Sequence, residues 1–413
     1  MNMGKQIRMT SILLLALIFC IPCMGQKKKL DTGTAEYLKK VWEKLDEVSS
    51  ATYYEDVKAW EPGDTIPVVA ERLFCKEYTN PKDTTIGSSF VILKGTDTTR
   101  FEFGYNGEVN VTTYHDKKGI MIDDFTHRDL PFRLVSPPFF NYTKSIVNYI
   151  LETTDSISTD LKEFDDYRYL KLVIHEDRQV EFFGKAYYIP KPPFNFGDPT
   201  SVYEVWIGKS DDLPYKYRRE MSHSISSSDC VDAELNKISI FDFDLFSYFP
   251  EGYEIRQYGE VRDTTQKSDL VGKKAPDWVL KDANEKTVSL SDFDKSKVLV
   301  IQLTGIGCGP CMASIPFLNK LKKDYNTEDV EVVAIETWVR KGHALQNYVG
   351  RHKIGYTFLA ANDDVVEVFQ TGRAVPFFFI LDGQRIIRKV IQGYSADTTD
   401  EEIIGIINEL LSK

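Results

Sequence analysis

Residues 298–311 read Val-Leu-Val-Ile-Gln-Leu-Thr-Gly-Ile-Gly-Cys-Gly-Pro-Cys. The run from Val298 to Leu303 is apolar except at Gln302, the pattern of a strand buried on both faces. A helix is predicted over 308–323. Cys308 therefore stands at a helix N-terminus, where unpaired N–H groups and the macrodipole stabilise a thiolate. Cys311 is one turn further on, so its sulfur faces the same side and can close a small disulfide ring. Pro310 suits the first turn, where a missing N–H costs little, and Gly309 completes the pair's spacer. Because the thiolate is the nucleophile in disulfide exchange, Cys308 reads as the attacking residue and Cys311 as the resolving one.

Downstream, a strand is expected at 330–335, a helix at 343–352, a hairpin of 376–381 with 385–391 turning at Asp382-Gly383, and a last helix at 400–412. A buried strand, a crossover helix and a second strand imply parallel pairing. An inert bridge or half a zinc site are the bland readings of the two cysteines. Zinc wants a second close pair of ligands, and His343 and His352, nine apart, do not supply that pattern. No metal or cofactor is expected.

At this point residues 272–413 resemble the TlpA/ResA-like thiol–disulfide oxidoreductases of the thioredoxin superfamily. The resemblance rests on Gly-Lys-Lys-Ala-Pro-Asp-Trp-Val-Leu at 272–280, Val-Ser-Leu-Ser-Asp-Phe at 288–293, the strand before the cysteines, Cys-Gly-Pro-Cys itself, and Ala-Val-Pro-Phe-Phe-Phe-Ile-Leu-Asp-Gly at 374–383. It implies an α/β thioredoxin-like domain whose central mixed sheet is flanked by helices. It implies a cis peptide at Val375-Pro376, with Pro376 against the cysteines and Val375 pairing with the substrate main chain. Gly-Pro between the cysteines is the pairing of reducing thioredoxins, near about −270 mV. Three positions depart from the family. Gly307 stands where Trp usually precedes the first Cys, which would remove an apolar lid. Gln302 stands at the buried acid of thioredoxin proper. Ser314 replaces a frequent Glu, although Pro316 is kept. Proton transfer to Cys311 would then use water or another acid. Glu336 is a candidate; its bland reading is a solvated strand end.

Before residue 260 the pattern differs. Leu38, Val41, Trp42, Leu45 and Val48 space a helix over 34–49, and another is expected near 141–151. Strands are expected from about residue 67. Phe101, Phe103 and Tyr105 alternate onto one face, and Asn106-Gly107 suggests a type I′ hairpin turn before Val109 and Val111. Further strands are expected at 167–175, 179–183, 201–207, 215–221 and 237–243, with a proline-rich loop at 190–199 (Pro190, Pro192, Pro193, Pro199). This is a mostly antiparallel, β-rich (α+β) region. Its opening helix, hairpins and the 205–221 stretch resemble the LolA/LppX-like open β half-barrels of exported proteins, which implies a concavity for an apolar ligand or a partner.

Lys5 and Arg8 followed by the apolar run 12–21 read as a signal peptide, too short to span a bilayer. Cleavage before Gln26 is expected, with lipidation at Cys20 or Cys23 disfavoured by the residues before them. The expected organisation is a signal peptide at 1–25, a β-rich domain at 26–260, a linker at 261–271 and a thioredoxin-like domain at 272–413, in the periplasm or cell envelope. Four cysteines then remain: Cys75, Cys230, Cys308 and Cys311. Cys75 and Cys230 could form a structural disulfide or each be a small buried hydrophobe.

The chain has 413 residues, 42% hydrophobic and 27% charged, with a formal net charge of −11. That is globular composition, and its acidity argues against nucleic acid or anionic membrane as partner. The expected partners are exported protein disulfides and an upstream electron donor. A peroxiredoxin-like (AhpC/TSA) enzyme is an alternative, but such sites place Thr three residues before the Cys, and Thr304 is four before Cys308. A non-enzymatic carrier with a degenerate thioredoxin-like part is the third reading.

Overall fold

The structure, a computed structural model, describes residues 30–127, 130–190, 198–260, 269–338, 342–371 and 374–412. The expected signal peptide, Pro192 and Pro193, and residues 261–268 of the expected linker lie outside the described residues.

Helix α1 (Thr32–Asp46) leads into β1 (Ser50–Trp60), β2 (Val69–Thr79), β3 (Ser88–Lys94), β4 (Asp97–Tyr105), β5 (Asn110–Tyr114) and β6 (Gly119–Asp123). After α2 (Phe139–Glu152) come β7 (Ile157–Glu163), β8 (Tyr167–Ile174), β9 (Val180–Phe182), β10 (Ala186–Tyr188), β11 (Ser201–Gly208), β12 (Pro214–Met221), β13 (Ser224–Leu235) and β14 (Glu254–Gln257). Twelve of these strands form one open sheet, ordered β14-β6-β5-β4-β3-β2-β1-β13-β12-β11-β8-β7, while β9 and β10 pair separately. Every pairing in the large sheet is antiparallel except β14 with β6. The helices α1 and α2 pack on one face, where Leu38, Val41, Phe139, Ile146 and Leu172 are buried together. A smaller cluster of Val91, Leu93, Phe101, Val111 and Leu245 covers part of the other face.

Four local expectations are corrected here. Strands begin at Ser50, not near residue 67. Residues 237–243 form no strand. A 3-10 turn runs over Ile240–Asp242, because the Ser239 side chain accepts from the Phe241 N–H and so favours a local turn over ladder pairing. Phe101 does not share a face with Phe103 and Tyr105. Leu93 pairs with Phe101 but its neighbour Ile92 pairs with Phe103, so Glu102 is an extra residue and the alternation changes phase. The Asn106-Gly107 turn is not type I′: only Gly107 has positive φ. Instead the Asn106 carboxamide oxygen accepts from the N–H groups of Glu108 and Val109 at 2.9 and 2.8 Å, a turn closed by a side chain.

The second sheet comprises β15 (Val279–Asp282), β16 (Thr287–Ser289), β17 (Val298–Thr304), β18 (Val330–Glu336), β19 (Thr357–Ala360), β20 (Phe377–Asp382) and β21 (Ile387–Gln392). Its order is β16-β15-β19-β18-β17-β20-β21. The three strands β19, β18 and β17 are parallel, β20 is antiparallel to β17, and the edge strand β21 is antiparallel to β20. Helices α3 (Gly309–Asp324), α4 (Gly342–Arg351), α5 (Asp363–Val368) and α6 (Thr399–Leu411) complete the region. Residues alternate between two cores. Val298, Val300, Val332 and Phe378 face α3, α4 and α6, whereas Leu299, Ile301, Leu303 and Phe379 face α5 and the segment around Trp278. Burial on both faces explains why β17 is apolar throughout. A mixed sheet covered by helices on both faces is the thioredoxin-like arrangement.

Candidate active site

The strand β17 delivers the chain to the cysteines through Gly305-Ile306-Gly307. Gly307 adopts φ +87°, a left-handed turn that glycine takes without strain. Cys308 is the N-cap of α3, with extended backbone, and its sulfur accepts from the Cys311 N–H at 3.3 Å. Cys308 and Cys311 are joined as a disulfide, their Cα atoms 5.2 Å apart. Cys308 is 7% exposed and Cys311 is 1% exposed, so both are buried and Cys308 is the more exposed residue of the two.

The Val375-Pro376 peptide is cis. The pairing of Phe377 with Leu303 brings Pro376 level with Thr304, at the end of β17 that runs into the cysteine turn. The sequence positions singled out around Cys308 are thus gathered by one strand pair, though they are some seventy residues apart in the chain.

The three departures at 302, 307 and 314 acquire a structural account. The buried Gln302 donates from Nε2 to the Ser314 hydroxyl at 2.7 Å, and that hydroxyl donates to the Cys311 carbonyl at 2.7 Å. Two neutral groups therefore satisfy one another beneath Cys311, and neither needs a charge. At Gly307 and Gly305 the space is not empty. A Cβ on Gly305 would come within 2.6 Å of the Trp338 ring, and one on Gly307 would lie 3.2 Å from Glu61 Oε1. An indole from the end of β18 and a carboxylate from the β-rich region thus border the turn that lacks the usual Trp.

The bland reading of Glu336 also fails. It is fully buried, not solvated, and its Oε1 accepts from the Trp338 N–H at 3.0 Å. Glu336 pairs with Thr304 across β17 and β18, and the Thr337 N–H donates to the Thr304 carbonyl at 2.9 Å. The residue that sequence reasoning missed is Glu61. It sits in the loop between β1 and β2, far from any redox motif, and no periodicity marks it.

Cys75 and Cys230 are free thiols. They lie on β2 and β13, the two neighbours of β1, with Cys75 opposite Tyr53 and Cys230 opposite Glu55. Two strand spacings separate their backbones by about 10 Å, beyond the roughly 7 Å that a disulfide spans. Burial pushes both thiols well up from their ordinary range, assisted by the charges of Glu77 and Glu55. Elsewhere in the large sheet a cavity of about 500 Å³ is lined by Leu73, Phe90, Ile92, Phe103 and Tyr142, with the Glu181–Arg219 ion pair at its wall.

A thioredoxin-like sheet carrying a vicinal pair of half-cystines at a helix N-terminus defines a redox-active class of protein. Residues 270–405 match the Redoxin family. The thiol–disulfide oxidoreductase ResA of Bacillus thuringiensis subsp. konkukian is 30% identical over 135 residues, covering 32% of this chain and 74% of that protein. ResA of Bacillus subtilis is 25% identical over 137 residues, covering 33% and 75%. A crystal structure described as a thiol:disulfide interchange protein DsbE from Chlorobium tepidum is 23% identical and covers 34% of this chain and 97% of that one, with a TM-score of 0.32. The chain belongs, through its C-terminal third, to the ResA thiol–disulfide oxidoreductase family. Among the described residues no helix is long and apolar enough to cross a membrane.

Proposed function

We propose that this is an exported oxidoreductase that reduces disulfides of other exported proteins, with Cys308 as nucleophile and Cys311 as resolving thiol. The observation that carries this reading is the position of Cys308 as the more exposed sulfur, at the N-cap of α3, bonded to a buried neighbour one turn away. In the reduced enzyme the Cys308 thiolate attacks one sulfur of a substrate disulfide. A mixed disulfide forms, and the other substrate sulfur leaves as a thiolate that takes up a proton. Cys311 then gives up its proton and attacks the Cys308 sulfur. The second substrate thiolate departs, leaving the Cys308–Cys311 disulfide; two electrons have passed to the substrate. A dithiol donor of the same compartment reverses the process on the enzyme.

The positive start and short apolar run of residues 1–25 support export, and with it a periplasmic or envelope location. Gly309 and Pro310 shape the first turn. Val375, next to Pro376, is the main-chain site at which an extended substrate segment adds to the fold. The 26–260 region is a separate domain, joined through 261–271 to the redox domain at 272–413, and its concavity accepts an apolar ligand or a partner.

The test is a trap. Cys311→Ser, expressed in the exporting cell, should hold substrates on Cys308 as mixed disulfides that mass spectrometry identifies. Recovery of no such adducts, with the variant folded and exported, would sink the proposal.

A further inference from the structure

The loop between β1 and β2 leaves the large sheet and lies across α4. Arg351 Nη1 donates to the Pro62 carbonyl at 2.6 Å, and Nη2 to Glu61 Oε2 at 3.0 Å. Asn347 donates to the Asp64 carboxylate, and Val68 packs against the core beneath α3 and α4. Glu61 is only 7% exposed, yet its other oxygen faces Gly307, the residue before Cys308. A carboxylate that the redox region does not encode is therefore delivered to its nucleophile's turn by the β-rich region and held there by a guanidinium.

We propose that the Glu61–Arg351 pair is a positioning device of the redox site, setting the reactivity of Cys308 through the charge it places beside Gly307. The inference rests on Cys308 being the nucleophile, as proposed above. Its physical basis is simple. A nearby anion disfavours a thiolate and a nearby cation favours it. The helix N-terminus already stabilises the Cys308 thiolate; Glu61 opposes that stabilisation and Arg351 moderates Glu61. Among the described residues, the other charged or titratable groups around the pair are Tyr348 on α4, His352 just after it, Asp64 on the loop, Glu336 at the end of β18 and His223 in the turn between β12 and β13. Tyr348 responds to the charges of Glu61, Arg351 and Glu336, and His223 to that of Arg351. None of these is removed in the test, so they act as a constant background.

The pair predicts shifts of opposite sign, which mere support of the fold does not. In the full chain carrying Cys311→Ser, the rate of Cys308 carbamidomethylation by iodoacetamide is measured against pH, with mass spectrometry resolving Cys308 from Cys75 and Cys230. Glu61→Gln should move the midpoint down by about half a pH unit and raise the rate at neutral pH about threefold. Arg351→Gln should move the midpoint up and lower that rate by a similar factor. Asn347→Ala, which loosens the same loop and leaves the Glu61–Arg351 charges in place, should leave the midpoint unchanged. Shifts of the same sign in the two charge variants, no shift in either, or an equal shift in Asn347→Ala would overturn the inference while leaving Cys308 as nucleophile. A parent Cys308 no more reactive than a free thiol would overturn both.

Discussion

The described residues hold two pairs of cysteines, and the two regions treat them oppositely. In the redox region Cys308 and Cys311 sit three residues apart on a turn between strand and helix, where backbone dipoles favour an anion. In the β-rich region Cys75 and Cys230 flank one strand within the sheet, facing apolar neighbours that disfavour any anion. The same side chain forms a disulfide at a helix N-terminus in one setting and stays a free thiol within a sheet in the other. The direction of the nearest peptide dipoles and the cost of desolvating an anion decide which, not the residue type, for Cys230 is more exposed than Cys308. Buried carboxylates divide in the same way. Glu61 and Glu336 border the redox turn. Glu77, on β2, accepts from the N–H groups of Phe140 and Asn141 and from the Tyr53 hydroxyl, and so caps α2, whose own N-cap, Pro138, has no side chain to do so.

The contrast can be broken in order of expected effect. Cys308→Ser should reduce the turnover of a model protein disulfide to background, because no thiolate remains to attack. Cys75→Ala with Cys230→Ala should leave turnover unchanged; a loss there would dissolve the distinction between the two pairs. Glu77→Ala should lower stability by about 2 kcal/mol or more, since two helix N–H groups and a buried hydroxyl lose their acceptor. Denaturant unfolding measures it, and a smaller loss would mean that water caps α2 instead.

Glu77 also predicts a pH dependence. Burial pushes its carboxyl up to about 7 from the ordinary 4.5. The folded state then holds a proton that the unfolded chain has released, so stability falls as pH rises from about 4.5 through about 7, by about 3 kcal/mol at most. Glu77→Gln should flatten the unfolding free energy across that window. An unchanged slope would assign it to other groups. Next, Ser314→Ala should destabilise by about 1–2 kcal/mol, because the Gln302 amide loses its acceptor in a buried site. The variant should still reduce disulfides, showing that the Gln302–Ser314 link supports Cys311 rather than carrying protons. The smallest effect is on labelling. In the folded protein Cys75 should resist alkylation while reduced Cys308 reacts, and equal labelling would refute the assigned burial.

Much of the redox half could be read from residues alone. The all-apolar β17, the strand-to-helix turn and the cysteine spacing depend on neighbours within about a dozen positions, so periodicity and cap chemistry carry them. The β-rich half was harder for a physical reason. One extra residue at Glu102 reversed the face of Phe101, and Ser239 closed a local turn where alternation promised a strand. Neither event alters composition or period enough to be seen beforehand. Glu336 was noticed for its type, but its burial was not legible, because a strand end does not reveal what packs over it.

By itself the amino-acid order determined that a cysteine would cap a helix at residue 308, with its disulfide partner one helical turn along, because capping and helical spacing act over a few residues. Only the tertiary structure decided what stands around that sulfur. Trp338 over Gly305, Glu61 beside Gly307 and the wide separation of Cys75 from Cys230 all follow from register and packing between segments distant in the chain, which local preference does not encode.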